Sequence, residues 1–442
     1  MPTTSPQNTK HRLASRLSKV RTRTFDMTDV LDDDDLNTQF SPLMSPLVWD
    51  MGHIANFEEF WLLRELDGRT AHDAERDAMY NPFDNPRWTR SDLPLLDRNE
   101  AREYLIEVRH DVDSLLSRSN LVDGHDLARD GYVFEMVVQH EAQHQETMLQ
   151  ALNLRPDLES YALSAIRNLP DRRSVDDTAR VIVAGGSFIL GTDDRAAAYD
   201  NERPAHRIHV DTFAIDRFPV TNRRYARFIE SDGYDRKELW SPEGWEWRTS
   251  VDHLGPQGWD RDGGSGWTQT VFGHKRRLDP TEPVIHVSYF EAEAFAAFEG
   301  GRLPSEAEWA KAANWAPEAT EPRRYPWGDT RPTTLRANIG QAAWGTVPVG
   351  SYPSGASGYG VEQLLGDVYE WTTSSFTPYP GYTTFPYPEY SEVFFDDSNF
   401  RVLRGASWAT SPSVARNSFR NWDYRQRRQI FSGIRLVWEV AP

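Results

Sequence analysis

The sequence comprises 442 residues, of which 38% are hydrophobic and 26% are charged, with a formal net charge of −18 and no cysteine. This length predicts two or three domains, and the acidic balance argues against nucleic-acid binding, because phosphate contacts need a basic face. No apolar run approaches the roughly 18 residues of a membrane span, and the first segment lacks the apolar core of a secretory signal. We therefore expect a cytoplasmic protein that binds neither nucleic acid nor membrane. Any metal must be held by histidine, carboxylate or other oxygen ligands.

The first third of the chain has the apolar spacing of helices. Apolar residues recur at three-to-four spacing in several segments, which predicts a helical bundle over about residues 1–153. The predicted helices lie within 11–31, 45–66, 97–119 and 131–153. Ser45 is expected to cap the second helix, with Pro46 at its first position. The long connection over 67–96 is rich in Pro and Asp, and connections of this length are often functional.

The rest of the chain differs in composition. Residues 154–177 are polar and are predicted to form a linker. Thirteen of the 16 tryptophans lie beyond residue 178, among frequent Gly and Pro. This composition predicts an irregular α+β domain over 178–442, in which aromatic side chains form much of the core.

The fourth predicted helix carries the motif "HEAQH", which begins at His140 and fits the H-E-x-x-H pattern of zinc proteases. His140 and His144 lie on its apolar stripe one turn apart, and His53 lies on the apolar stripe of the second helix. Three such histidines are either hydrogen-bonded core residues or ligands of a metal inside the bundle. Neutral nitrogen ligands suit zinc and iron(II) alike. A zinc hydrolase with Glu141 as general base therefore stays open beside an iron enzyme.

The second half of the chain contains an ordered series of motifs: "GGSFILGTDD", "GGRLPSEAEWAKAA", "YPWGD", "GDVYEWT", "RVLRGASW" and "FSGIRLV". Together they resemble the formylglycine-generating-enzyme-like domain, which implies a C-type-lectin-like fold over about 180–440. The formylglycine-generating enzymes themselves use active-site cysteines, which this chain lacks. The first half resembles the DinB-like four-helix bundle. This pair of domains, with "HEAQH" on the fourth helix, resembles the sulfoxide synthases of ergothioneine biosynthesis over nearly the whole chain.

The resemblance implies a mononuclear iron(II), Fe(2+), bound by His53, His140 and His144. It also implies a reaction with O2 that joins a thiol sulfur to the imidazole C2 of hercynine and oxidises that sulfur to a sulfoxide. The expected partners are hercynine, γ-glutamylcysteine and O2, and the expected state is a monomer. Free cysteine or a selenium donor are alternatives to γ-glutamylcysteine. A zinc hydrolase and a lectin-like binding module are the alternatives from other classes, and a calcium site in the second domain is left open.

The same resemblance implies roles for residues that would contact hercynine. Tyr379 matches the catalytic tyrosine, a proton donor, and a phenol can supply a proton without a depressed pKa. Tyr382, Asn421 and Trp422 match positions that line the hercynine pocket, and a tryptophan face attracts a trimethylammonium group. Gln143 matches a glutamine that hydrogen-bonds near the substrate imidazole.

Two further pairs match positions that bind the thiol substrate. Arg87 and Arg90 match two arginines that bind the carboxylates of the γ-glutamyl portion, and guanidinium groups hold carboxylates through paired hydrogen bonds. Asp423 and Arg427 match positions that help to hold γ-glutamylcysteine. The family gives Glu141 no role, so it either orients a metal ligand or is an ordinary acidic residue of the helix.

Overall fold

The computed structural model describes residues 5–156, 158, 173–264, 266–319 and 321–440. Contacts within the chain define two compact units, Met1–Ala162 with Asp194–Ala197 and Leu163–Asp193 with Ala198–Pro442. Among the described residues, no helix has the length and apolar character needed to cross a membrane. Most of the predicted linker over 154–177 lies outside the described residues.

The first unit is helical. Its helices are α1 (Pro6–Thr28), α2 (Asp33–Asn37), α3 (Leu47–Glu58), α4 (Ala74–Met79), α5 (Arg98–Arg118) and α6 (Tyr132–Leu152). A π-helix over Glu59–Leu66 continues α3, and short 3-10 helices lie at Arg87–Asp92 and Arg129–Gly131. The four predicted helices are thus confirmed with shifted ends, because α1, α5, α6 and the α3 segment occupy their places.

The start of α3 corrects one prediction. The helix begins at Leu47 with Pro46 as its N-cap residue, and none of the described side chains caps it. The expected cap at Ser45 is therefore wrong, because the Ser45 hydroxyl instead accepts a hydrogen bond from Arg90 at 2.7 Å. By contrast, α5 starts with a full capping box between Asp97 and Glu100, which satisfies amide groups that the first turn leaves free.

A buried ion cluster connects the four long helices of this unit. It consists of one residue from each: Arg21 on α1, Glu58 on α3, Arg109 on α5 and Glu141 on α6. Arg21 lies 2.6 Å from Glu58 and 2.8 Å from Glu141. Arg109 lies 2.6 Å from Glu58 and 2.9 Å from Glu141. Each charge thus has two opposite partners, which offsets the cost of removing it from water.

The second unit mixes short strands with short helices, as predicted. Its strands are β1 (Arg180–Val183), β2 (Gly186–Leu190), β3 (His206–Val210), β4 (Phe213–Asp216), β5 (Trp259–Arg261), β6 (Trp267–Val271), β7 (His274–Arg277), β8 (Tyr369–Phe376), β9 (Asp396–Gly405), β10 (Asn421–Tyr424), β11 (Ser432–Gly433) and β12 (Val437–Glu439). Its helices are α7 (Asn222–Glu230), α8 (Pro242–Ser250), α9 (Tyr289–Phe298), α10 (Glu306–Asn314) and α11 (Pro388–Ser391), with further 3-10 turns. The sheets have the strand orders β1-β4-β12, β10-β9-β8-β11, β2-β3 and β5-β6-β7.

The four-stranded sheet carries several of the predicted site residues. β10 pairs antiparallel with β9, which places Asn421 opposite Leu403 and Trp422 opposite Val402. Tryptophans fill much of the space around this sheet: Trp309, Trp371 and Trp408 are all buried. The Trp371 indole donates a hydrogen bond to the Val287 carbonyl at 2.9 Å, so its polar atom is satisfied inside the core.

Candidate metal centre

Three histidines from two helices meet inside the first unit. His53 lies on α3, and His140 and His144 lie one turn apart on α6. One ring nitrogen of each lies within 4.8 Å of the others, and the Nε2 atoms of His53 and His140 are 3.2 Å apart. The structure therefore brings together the set that the sequence singled out.

Hydrogen bonds orient two of these rings. The Nδ1 atom of His53 lies 2.8 Å from the Tyr80 carbonyl oxygen, and Nδ1 of His144 lies 2.8 Å from Oδ1 of Asp50. A carbonyl or carboxylate oxygen only accepts, so each Nδ1 carries the hydrogen. In the neutral ring, the Nε2 lone pair is then free to bind a metal ion.

Aromatic neighbours set the planes of the rings. The His140 ring stacks on Phe57 with centroids 3.6 Å apart and planes 9° apart. The His53 ring stacks on Trp49 at 4.7 Å and 13°. These two stacks, together with the hydrogen bond between His144 and Asp50, limit rotation about the side-chain bonds, so the three rings are held before any ion binds.

Burial favours the neutral state of His53 and His140, which is the state that binds metal. Burial lowers the pKa of His53 and of His140 well below the usual histidine value, and the neighbouring His144 lowers both pKa values further. Neutral imidazole is the form that binds metal, so the donor set fits a divalent ion that accepts nitrogen ligands. Three protein ligands also leave coordination positions for substrates.

Glu141, the acid of the H-E-x-x-H pattern, belongs to the buried ion cluster. Its carboxylate accepts hydrogen bonds from Arg21 at 2.8 Å, from Arg109 at 2.9 Å and from the Thr24 hydroxyl at 2.7 Å. Although burial opposes it, Arg21 and Arg109 hold the pKa of Glu141 below its usual value. A carboxylate held in this way is unsuited to act as a general base. The zinc-hydrolase alternative required Glu141 as the general base, so this geometry argues against it.

The other predicted residues of the first unit differ in burial and in the groups that they contact. Arg90 is buried, donates to the Asn85 carbonyl at 2.9 Å, and its guanidinium carbon lies 3.4 Å from the centre of the Trp49 ring. Burial lowers the pKa of Arg90 to about 9, and the Asp50 carboxylate partly opposes that shift. Arg87 is half-buried and donates to the Leu43 carbonyl at 3.3 Å. Gln143 is half-buried and directly precedes His144 on α6.

In the second unit, Tyr379 follows β8 and is buried in the hydrophobic core. Its hydroxyl donates to Oε1 of Glu306 at 3.1 Å, and Arg420 lies over its ring at 4.1 Å. Burial raises the pKa of Tyr379, and the Glu306 carboxylate raises it further. The phenol is therefore protonated over the physiological range, with its hydrogen directed at Glu306.

The remaining tyrosine and the β10 residues lie near Tyr379. The Tyr382 hydroxyl donates to Asp200 at 2.7 Å, and burial raises its pKa. The Trp422 ring stacks on Phe376, three residues before Tyr379, at 4.0 Å and 8°. Asn421 precedes Trp422 on the same strand.

Asp423 and Arg427 form an ion pair with each other. A nitrogen of Arg427 lies 3.1 Å from Oδ1 of Asp423, and both side chains are largely buried. A pair with this little exposure is better defined than an ordinary surface ion pair. Its position on β10, directly after Trp422, places it in the same part of the second unit as the predicted hercynine residues.

Sequence reasoning missed two groups that hold the histidines, namely Asp50 and the Tyr80 carbonyl. The signal for Asp50 was available, because an aspartate three residues before a histidine on an otherwise apolar helix needs a buried partner. No comparable signal exists for a backbone carbonyl. Gly52 explains how Tyr80 comes so close: a Cβ atom at position 52 would lie only 2.2 Å from the Tyr80 ring.

Comparison with known proteins gives matches over both halves. The DinB superfamily model matches residues 16–148, and the model of the sulfatase-modifying factor enzyme 1-like domain matches residues 167–440. A formylglycine-generating enzyme of Mycobacterium tuberculosis is 32% identical over 53% of this chain and 88% of its own length. The predicted order, a DinB-like bundle followed by this α+β domain, is confirmed.

Two relatives match across both domains. The hercynine oxygenase of Mycolicibacterium smegmatis is 46% identical over 97% of this chain and 99% of its own length. The hercynine oxygenase of Mycobacterium tuberculosis is 47% identical over 99% of this chain and its full length. Identity at this level over nearly the whole of this chain and of each relative shows that the protein belongs to the hercynine oxygenase family.

Proposed function

We propose that this protein is an iron(II)-dependent sulfoxide synthase that joins γ-glutamylcysteine to C2 of hercynine. The product is the S-oxide of γ-glutamyl-hercynylcysteine. The observation that carries the proposal is whole-length similarity to hercynine oxygenases of 46–47% identity. The convergence of His53, His140 and His144 supports it independently, because three neutral nitrogen ligands suit iron(II), a metal that can react with O2 and a thiol.

The overall reaction balances with O2 as the only oxidant. Loss of the hercynine C2–H and the thiol S–H accompanies C–S bond formation and releases two electrons and two protons. Oxidation of the sulfur to the sulfoxide releases two further electrons. O2 accepts all four electrons, and one of its atoms enters the sulfoxide while the other leaves as water.

The bundle residues hold the metal and the thiol substrate in this proposal. His53, His140 and His144 present Nε2 atoms fixed by the contacts described above, and iron bound there supplies open coordination positions and redox electrons. Arg87 and Arg90 bind the carboxylates of γ-glutamylcysteine. The stack of Arg90 on Trp49, which itself stacks on His53, supports this assignment, because it places a guanidinium close to the metal centre.

The second unit binds hercynine and supplies a proton. Asn421, Trp422 and Tyr382 contact hercynine, and the exposed part of the Trp422 ring attracts its trimethylammonium group. Asp423 and Arg427 assist in holding the thiol substrate. Tyr379 is the proton donor. Its hydroxyl must leave Glu306 in order to donate, so Glu306 competes with the reaction for that proton.

The function is tested by metal reconstitution. Apo-protein is loaded anaerobically with iron(II) or zinc, and O2 consumption and product mass are followed with hercynine plus γ-glutamylcysteine, cysteine or a selenium donor. We expect activity with iron alone and the highest kcat/KM with γ-glutamylcysteine. Activity with zinc but not iron, or none with any of these donors, would overturn the proposal.

Tyr379 is tested separately by Tyr379→Phe, which keeps the buried ring and removes the hydroxyl. We expect a loss of sulfoxide product and a shift toward simple oxidation of the thiol. A variant with full sulfoxide synthase activity would show that the proton comes from another group.

A further inference from the structure

Asp50 is a buried carboxylate without a cationic lysine or arginine partner at ion-pair distance among the described residues. Its side chain is 1% exposed, and His144 is the one basic side chain among the described residues that lies within ion-pair distance of it. Its second oxygen, Oδ2, is buried and accepts no hydrogen bond from the residues that the structure describes. Burying a carboxylate in this way costs desolvation free energy, so we expect Asp50 to have a function that offsets the cost.

The geometry indicates what that role is. Oδ1 of Asp50 lies 2.8 Å from Nδ1 of His144, which places the ring hydrogen on Nδ1 and leaves Nε2 for a metal ion. Asp50 lies on α3 and His144 on α6. The hydrogen bond therefore joins the helix that carries one ligand to the helix that carries the other two.

The contacts that orient His53 and His140 involve uncharged groups. His53 donates to a neutral backbone carbonyl, and the contact that fixes the His140 ring is a stack on Phe57. Among the residues that the structure describes, Asp50 is thus the one acidic group hydrogen-bonded to a histidine of the triad. A carboxylate in this position strengthens the ligand as a base and orients its ring.

We propose that Asp50 is a positioning residue of the metal centre, which fixes the tautomer of His144 and raises the affinity of the three-histidine site for a divalent ion. This inference rests on the metal centre of the proposed function, but not on hercynine or on the thiol substrate. Asp50 thus has the ligand-orienting role that the sequence left open for Glu141.

The test measures metal binding by the full-length protein without substrates. Iron(II) is titrated anaerobically, and cobalt(II) is titrated as a spectroscopic probe, into the unaltered protein, Asp50→Asn and Asp50→Ala. The Asn variant has nearly the same shape but lacks the charge, and its amide can also donate to Nδ1 and favour the wrong tautomer. We expect the dissociation constant for both metals to rise by about 10- to 100-fold in Asp50→Asn, with an altered visible spectrum of the cobalt form.

Asp77→Asn is the matched control. Asp77 lies in the same unit and contacts Arg64 at 2.8 Å and Asn56 at 3.1 Å, with no histidine of the triad among these partners. We expect its metal affinity and cobalt spectrum to match those of the unaltered protein. An equal loss of affinity in both variants would assign the effect to general damage and overturn the proposal.

A double-mutant cycle tests whether Asp50 acts through His144. In a His144→Ala background, Asp50→Asn should change the metal affinity far less than it does alone, because the ring that it positions is absent. An undiminished effect in that background, or no effect of Asp50→Asn in the unaltered protein, would overturn the proposal. Failure of the unaltered protein to bind either metal would instead overturn the metal centre itself, so the two failures are distinguishable.

Discussion

Single residues in this protein have roles that their motif does not reveal. His53, His140 and His144 share a stripe pattern that predicts their convergence, since residues three or four apart share a helix face. The groups that orient these histidine rings follow no such pattern in the sequence. Asp50 and His144 are 94 positions apart, and the Tyr80 carbonyl has no signature in the sequence. The convergence of the three histidines could therefore be predicted, whereas the groups that orient them depend on how two helices and a loop pack.

The first prediction at this scale concerns thiol specificity. Arg87→Ala should raise the KM for γ-glutamylcysteine by about 10-fold or more, because a charge-assisted hydrogen bond contributes roughly 1.5–3 kcal/mol. The KM for free cysteine, which lacks the γ-glutamyl carboxylate, should change little. Steady-state O2 consumption with each thiol measures both values. Arg102→Ala, which removes an exposed partner of Asp29, serves as the control, and a parallel rise for both thiols would contradict the assignment.

His286 predicts a pH dependence of stability in the second unit. Burial lowers its pKa to about 4, although hydrogen bonds to the Arg428 and Ile430 carbonyls oppose the shift. Between about pH 6.5 and 4, His286 is protonated in the unfolded chain but neutral in the folded chain. The free energy of unfolding should therefore fall as pH falls through this window. The difference between the two pKa values corresponds to a loss of up to roughly 3 kcal/mol.

His286→Asn isolates that contribution. Asparagine tolerates the positive φ of 66° at this position and retains a donor for the carbonyls. Denaturant unfolding at several pH values should show a shallower loss of stability below pH 6.5 in the variant than in the unaltered protein. Parallel pH profiles would show that His286 does not cause the dependence.

At the scale of elements, the helices form where periodicity predicts them, but their ends and irregularities follow local chemistry. α5 starts at a capping box, as its sequence permits, whereas α3 starts two residues after Ser45 because that hydroxyl binds Arg90. The π-helix after α3 has no sequence signature that we could use. Tyr379 shows the same limit in the second unit, since its family position predicts a proton donor but only packing shows that its hydroxyl binds Glu306.

The buried ion cluster predicts a large stability effect at this scale. Glu141→Gln removes one of two negative charges from the cluster and leaves Arg21 and Arg109 sharing Glu58, so the bundle should lose about 3–5 kcal/mol. Urea unfolding followed by helical circular dichroism measures the loss. Glu107→Gln on α5 is an exposed control, expected to change stability by less than about 0.5 kcal/mol. A loss no larger than that of the control would contradict the assigned role.

For the whole molecule, metal binding should be coupled to stability of the bundle, because the ligands lie on two different helices. A metal at about 100 times its dissociation constant should add about 2.7 kcal/mol. Thermal unfolding of the helical signal, with and without cobalt(II), measures the shift. His140→Ala should abolish it, and an equal shift in that variant would place the metal elsewhere.

The two sides of α6 have consequences for redesign. The histidines contact each other, Asp50 and Phe57, while Glu141 contacts α1 and α5 through arginines and a threonine. An engineer could therefore exchange His140 for a carboxylate, to admit a different metal, without touching the residues that hold the helices together. The H-E-x-x-H motif of this protein thus contains two independent parts. Its histidines belong to the candidate metal centre, and its glutamate holds α6 to the neighbouring helices.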